Sequence, residues 1–214
     1  HPHFEYLTGI VDEPGAVLLL DPQHPVPARQ VMLFLRPLNP ELEQWDGLRD
    51  MVGSGLRSRY GIATIFRTTS FARWLNEASQ RARRLACLHP IAPHNAPVSP
   101  DLDLFRKISE RLPGAAIEDH SRLLATMRSA KSKAERECIQ QAIDITAAGF
   151  EAAMRTIRPG QTELEVQALL EHTYRMHGAG RLAFRSIVGG GINSTVLHYH
   201  ANDQPLRDGD LVCI

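Results

Sequence analysis

The 214 residues include 24 Lys+Arg and 24 Asp+Glu, so the formal net charge is zero, with 43% hydrophobic and 22% charged residues. That is an ordinary globular composition, and the balance gives no global attraction to nucleic acid or to an anionic membrane. No apolar run is long enough to span a bilayer, and no signal-peptide pattern is visible in a chain that starts at His1 without Met.

The first half alternates strand-like and helix-like segments. Phe4 to Gly9 is followed by a turn at Asp12-Glu13-Pro14-Gly15. Ala16 to Leu20 and Val31 to Leu35 are short continuous apolar runs, as in buried strands. Glu41 to Tyr60 has a weaker helical pattern broken by Gly53 and Gly55, and Ile62 to Phe66 reads as another strand. Ser70 is placed to cap a helix running to about Arg84, with Phe71, Trp74, Leu75 and Ala78 on one face. Leu85 to Leu88 is a possible strand. Pro90, Pro93, Pro97 and Pro100 exclude regular structure from the loop after it. A short helix is expected from Asp101 to Leu112, ended by Pro113-Gly114, and another piece from Ser121 to Ala125. This alternation predicts an α/β domain with a mainly parallel or mixed sheet. Arg81, Arg83 and Arg84 cluster without an aromatic stripe, which fits a solvated helix end better than a nucleic-acid patch.

Around Met127 the pattern changes, which sets a domain boundary near residues 126–130. Ser132-Lys133-Ala134-Glu135 is a capping box opening a long helix. Ile139, Ile143, Thr146, Phe150, Met154 and Ile157 recur every three or four residues and predict its core-facing stripe. Arg158-Pro159-Gly160 stops it, and Thr162-Glu163-Leu164-Glu165 is a second capping box, for a helix ending at His177-Gly178.

Arg185 to Ile214 then reads as a hairpin with strand-like runs around Gly189-Gly190-Gly191 and Pro205. No Gly-Lys-Ser/Thr follows the glycines, so a phosphate cradle is disfavoured against close approach of the backbone to a ligand or a strand bend. His198 and His200 form an HxH pair. On a strand both would face one side and could ligate one metal. They could equally be half-exposed strand histidines, or His198 could donate a hydrogen bond or carry a proton. His172 and His177 are spaced for different helix faces, and turn chemistry accounts for Asp208 and Asp210. The three cysteines, Cys87, Cys138 and Cys213, are far apart with no CxxC, as expected for reduced thiols in a cytoplasmic protein.

These residues resemble the creatinase/prolidase (pita-bread, M24) family, and within it most closely the Xaa-Pro aminopeptidase (aminopeptidase P) group. The resemblance rests first on Phe4-Glu5-Tyr6-Leu7-Thr8-Gly9 with Glu13-Pro14 and Ala16-Val17-Leu18. It continues with Arg128, Lys131-Ser132 and Glu135, and with Arg158-Pro159-Gly160 and Thr162-Glu163. The most specific part is Ile187-Val188-Gly189, Gly191, Asn193, Leu197-His198-Tyr199, Asn202 and Asp208-Gly209-Asp210-Leu211-Val212. It implies an α/β N-terminal creatinase-like domain, a mixed sheet flanked by helices, over residues 1–127, followed over residues 128–214 by the first part of an α+β pita-bread catalytic domain.

The resemblance further implies a metallopeptidase that cleaves the peptide bond before proline through a metal-bridging hydroxide. Two divalent ions, usually manganese, are held there by two Asp, one His and two Glu. The first of these ligands would follow Ile214, so no metal ligand is expected within the chain, which looks like an N-terminal part and by itself should be inactive. His198 matches the histidine that hydrogen-bonds substrate or transition state, and Phe184 is a candidate wall of the substrate site. Proline-containing peptides are the expected partners, with no nucleic acid and no membrane, and a homodimer or homotetramer is the expected assembly. The other readings are an Xaa-Pro dipeptidase (prolidase), a metal-free creatinase-type hydrolase, and a non-catalytic pita-bread binding module.

Overall fold

A computed structural model describes residues 1–214, which divide into two compact units, His1–Ala130 and Lys131–Ile214.

The first unit is built on one fully buried strand. A short helix α1 (Pro2–Thr8) ends on Gly9 in the left-handed conformation. Strands β1 (Val17–Leu20), β2 (Val31–Leu35) and β3 (Thr64–Arg67) follow. β2 is central, antiparallel to β1 and parallel to β3. Met32, Leu33, Phe34 and Leu35 are all completely buried, because both faces of β2 are covered. Leu33 and Leu35 pack with Ile10, Leu56 and Ile65, while Met32 and Phe34 pack with Trp74. Burial on both faces is why β2 reads as an unbroken apolar run rather than an alternating one.

Residues 40–60 form two short helices, α2 (Pro40–Asp46) and α3 (Ser54–Tyr60), with the break running from Gly47 to Gly53; Gly55, expected to break the pattern as well, lies inside α3. Helix α4 (Phe71–Arg81) is shorter than expected, because Arg84 already begins strand β4 (Arg84–Cys87). Ser70 does not cap it; its hydroxyl donates to the Arg67 carbonyl at 2.9 Å. Helix α5 (Pro100–Ser109), strand β5 (Ala116–Asp119) and helix α6 (Ser121–Ser129) complete the unit. β4 and β5 pair in parallel, with Leu75, Leu85 and Ile108 in the core beside them.

The arginine cluster is structural. Arg81 pairs with Asp21 and Glu77, Arg84 with Glu118, and Arg83 donates to the Pro113 carbonyl. Arg128, at the end of α6, stacks over Tyr6. The cysteines are free, Cys87 buried and Cys138 and Cys213 exposed.

Asp101 locks the proline-rich loop to α5. Burial alone would raise its pKa, but its Oδ2 accepts from the backbone N–H groups of Leu88 and His89 at 2.7 and 2.9 Å. These bonds win and hold the carboxyl at about 2, below its ordinary 3.8. A depressed carboxyl stabilises the fold above its unfolded value and loses that contribution as pH falls through the folded one. Asp101→Asn is therefore expected to cost roughly 2 kcal/mol at neutral pH and to flatten the loss of stability between about pH 4 and pH 2. Urea midpoints across that range check it, and equal acid slopes in both proteins would remove Asp101 from the account.

The second unit opens with helices α7 (Lys133–Thr156) and α8 (Glu163–Met176), each started by a complete capping box, Ser132 with Glu135 and Thr162 with Glu165. The expected core stripe of α7 is corrected. Ile139, Ile143, Phe150 and Met154 are exposed, and the residues buried along α7 are Gly149 and Ala153. The reason is close helix approach: a Cβ at Gly149 would collide with the Tyr174 ring of α8. Small residues make the contact. The large apolar residues, such as Phe150 one position and about 100° further round, are left off it. The core of the unit gathers Ala153, Val166, Leu170, Val188 and Leu206.

The hairpin is also shorter than expected. Strands β6 (Gly189–Gly190) and β7 (Val212–Cys213) pair antiparallel over two residues each. Gly191–Thr195 is a 3₁₀ turn, and Val196 to Tyr199 is not a strand. No helix is long and apolar enough to cross a membrane.

Candidate functional site

The chemistry-bearing loop runs from Gly190 to Gln204, and one carboxylate holds it. Glu163, the first residue of α8, is completely buried. Its Oε1 accepts from the Gly190 N–H at 2.8 Å and from Asn193 Nδ2 at 3.1 Å. Its Oε2 accepts from the Tyr199 hydroxyl at 2.8 Å and the Gln204 N–H at 3.0 Å. Asn193 Nδ2 also lies 3.1 Å from the Tyr199 oxygen, which closes a triangle of three side chains. Burial by itself would raise the Glu163 pKa, but the donors outweigh it and hold the carboxyl below the usual carboxylate range. Across the bond, burial and then the Glu163 carboxylate push Tyr199 up to about 12, so it remains a donor at any physiological pH.

The triple glycine serves this carboxylate rather than a phosphate. A Cβ on Gly190 would strike Leu206, and one on Gly189 would sit 2.7 Å from the Asn193 carbonyl oxygen. Gly191 has φ +54°, and a Cβ there would lie 2.9 Å from Asp210 Oδ1. The glycines permit close approach of the backbone to neighbouring residues of the chain itself, not the approach to a ligand expected from the sequence.

Asn202 is the second anchor. It is buried, with φ +48°; its Oδ1 accepts from the Val188 N–H at 3.1 Å and its amide donates to Gln167 Oε1 and to the Ser186 carbonyl. Asp210 behaves as turn chemistry requires: its Oδ2 accepts from the Arg207 N–H at 2.8 Å, beside Gly209 at φ +83°.

His198 sits in the turn between these anchors, exposed, with no hydrogen bond or ion pair of its own. The strand expected there is replaced by turns closed by Val196 N–H to the Asn193 carbonyl, 3.1 Å, and Tyr199 N–H to the Val196 carbonyl, 3.2 Å. The same-face argument for His198 and His200 therefore fails, although the two rings lie parallel with centroids 6.5 Å apart. His200 Nδ1 is buried without a partner. No group of three or more His, Cys, Asp or Glu side chains here could hold a metal ion, so the residues of this chain do not fit a metal centre. Phe184 is 75% exposed, in the irregular segment before β6. His172 and His177 are exposed on and just after α8.

Sequence reasoning missed Glu163. It was absorbed into the capping box, yet only Glu165 stands at the third helical position and makes the cap. A second acid with no local use, directly after Arg158-Pro159-Gly160, was the available signal.

Comparison with known proteins agrees with this geometry. Residues 1–86 match the family described as "Aminopeptidase P, N-terminal domain", and residues 137–214 match "Metallopeptidase family M24". Residues 137–214 thus match the start of an M24 domain. Among similar proteins, the Xaa-Pro aminopeptidase of Haemophilus influenzae is 34% identical over 99% of this chain and 46% of its own length. The solved structure of aminopeptidase PepP from Pseudomonas aeruginosa superposes with a TM-score of 0.81 at 31% identity, covering 99% of this chain and 48% of that one. Escherichia coli aminopeptidase P, solved with the inhibitor Pro-Leu, gives a TM-score of 0.80 at 26% identity and covers 99% and 48%. The chain thus spans about half the length of the relatives it matches: an N-terminal α/β domain and the start of the M24, or pita-bread, domain.

Proposed function

We propose that the full-length protein is an Xaa-Pro aminopeptidase, hydrolysing the peptide bond before proline. The observation that supports this most is the His198 loop, a free imidazole held between buried anchors in the segment that matches the M24 family. In this reading His198 hydrogen-bonds the scissile region of the substrate, and Phe184 forms an apolar wall against it. Proline-containing peptides fit as substrates because a related enzyme has been solved with Pro-Leu as inhibitor. In our reading the full-length protein would hold two divalent ions, manganese, through side chains other than those of residues 1–214, and the ions would supply an activated water and Lewis-acid chemistry. We place the domain boundary at 127/128, the protein in the cytoplasm, and the assembly as a homodimer or homotetramer.

His198 offers what such a site needs from this half. Neither ring nitrogen is engaged, so one can donate to a carbonyl oxygen as negative charge grows on it. Donors fixed beforehand stabilise that charge without reorganising during the reaction.

The test is hydrolysis of a short Xaa-Pro peptide by the full-length protein, after chelation and again with manganese restored. Activity lost and regained is the expected result. A chelated protein that still turns over would point to a metal-free hydrolase, and inactivity in both states to a binding module. Residues 1–214 alone are expected to show neither turnover nor a bound metal pair.

A further inference from the structure

We propose that Glu163, acting through Tyr199 and Asn193, is the positioning residue that sets the orientation of His198. This rests on the reading of His198 as the substrate-side imidazole.

The loop from Gly191 to Tyr199 has little to hold it. After Gly191, whose N–H donates to the Leu211 carbonyl at 2.9 Å, its backbone bonds are short-range 3₁₀ and turn bonds. His198 has no bond of its own. Its direction is therefore inherited from its neighbours in the chain, and besides the Asn202 anchor those on both sides of it are tied to one carboxylate. Upstream of His198, Gly190 and Asn193 reach Glu163 Oε1; downstream, Tyr199 and Gln204 reach Oε2. A carboxylate kept only for folding could be satisfied by the two backbone N–H groups. Here two further contacts come from side chains that flank His198, and these two are also bonded to each other at 3.1 Å. The Tyr199 hydroxyl donates to Glu163 at 2.8 Å and accepts from Asn193 at 3.1 Å, so its two short bonds lie within the triangle, with Asp203 Oδ1 a longer contact at 3.4 Å. This arrangement transmits the fixed position of a buried helix N-terminus to the residue beside His198. The principle is general: a site group is held within tolerance by neighbours whose own rotamers are locked.

The experiment is a double-mutant cycle in the full-length protein. Tyr199→Phe removes the hydroxyl link while leaving the buried carboxylate and its backbone donors. It should lower kcat by about 10- to 100-fold, the scale of loss from a displacement of up to about 1 Å, with KM nearly unchanged and Tm close to wild type. Glu163→Gln should reproduce this loss, because its amide would face the Tyr199 hydroxyl and the Gln204 N–H with the wrong polarity. In a His198→Ala background, Tyr199→Phe should cause little further loss, since the group being positioned is gone. The same fold-loss in both backgrounds would show a merely structural role and overturn the proposal, as would unchanged kcat in Tyr199→Phe. If His198→Ala itself leaves turnover intact, the functional reading of His198 fails. The positioning claim is then decided by the His198 imidazole nitrogen resonances. Shifted by Tyr199→Phe they support it; unmoved they overturn it.

Discussion

His198→Ala is expected to lower kcat for an Xaa-Pro peptide by about 10²- to 10³-fold in the full-length protein, the loss associated with removing one preorganised donor from a developing oxyanion. KM should change far less, because a bond that strengthens in the transition state contributes little to ground-state binding. His200→Ala should cost less than about threefold, a size typical of small packing losses rather than of transition-state bonds. The contrast follows from placement. His198 is exposed on a turn with both nitrogens free, whereas the His200 Nδ1 is buried without a partner and faces away from solvent. Steady-state kinetics of the two variants on one peptide decide the matter. Equal and small effects would take His198 out of the active site.

Much of the scaffold was legible because single residues fix it locally. Ser132 with Glu135, and Thr162 with Glu165, state both helix starts, and the structure contains both boxes complete. The run Val31 to Leu35 announced a strand buried on both faces, and β2 is one. The errors share one cause, which is that period and composition do not reveal which neighbour arrives. On α7 the residues with the right spacing and the most apolar surface are the ones left exposed. Contact with α8 is made instead where Gly149 admits the Tyr174 ring. At Val196 to Tyr199, β-prone residues sit in turns, because Asn193 and Tyr199 are drawn to a carboxylate 30 and 36 residues earlier in the chain. Such a long-range polar tie overrides local propensity. It also leaves no trace in a short window of sequence, where Glu163 looks like one more helix-start acid. His198 could be singled out from its motif. What holds it in place could not.

Glu163→Ala is expected to destabilise residues 131–214 by roughly 3–5 kcal/mol, from the loss of the acceptor for one buried and three part-buried donors at up to about 1–3 kcal/mol each. The Gly190 N–H is buried and would lose its acceptor, while the Gln204 N–H makes a part-buried bond and would be partly recovered by water. Asn193 and Tyr199 are partly buried and would recover part of the loss by turning to water. Against a typical domain stability of about 5–15 kcal/mol, this is enough to open the unit locally. Glu165→Ala is the matched control. It removes an acid two residues away whose only role in the structure is the cap, worth on the order of 1 kcal/mol. Amide hydrogen exchange at Gly190 and Gln204, with urea midpoints for both variants, makes the comparison. Protection should fall sharply for Glu163→Ala and little for Glu165→Ala. The pH dependence gives an independent arm. The donors hold the Glu163 carboxyl below its ordinary value, so its stabilisation is present above the unfolded carboxylate range and disappears as pH falls through the folded pKa. The acid limb of the wild-type stability curve should therefore be steeper than that of Glu163→Ala, and the two should converge at low pH. Parallel curves, or equal losses in the two alanine variants, would mean that the loop is held by Asn202 and the hydrophobic core instead.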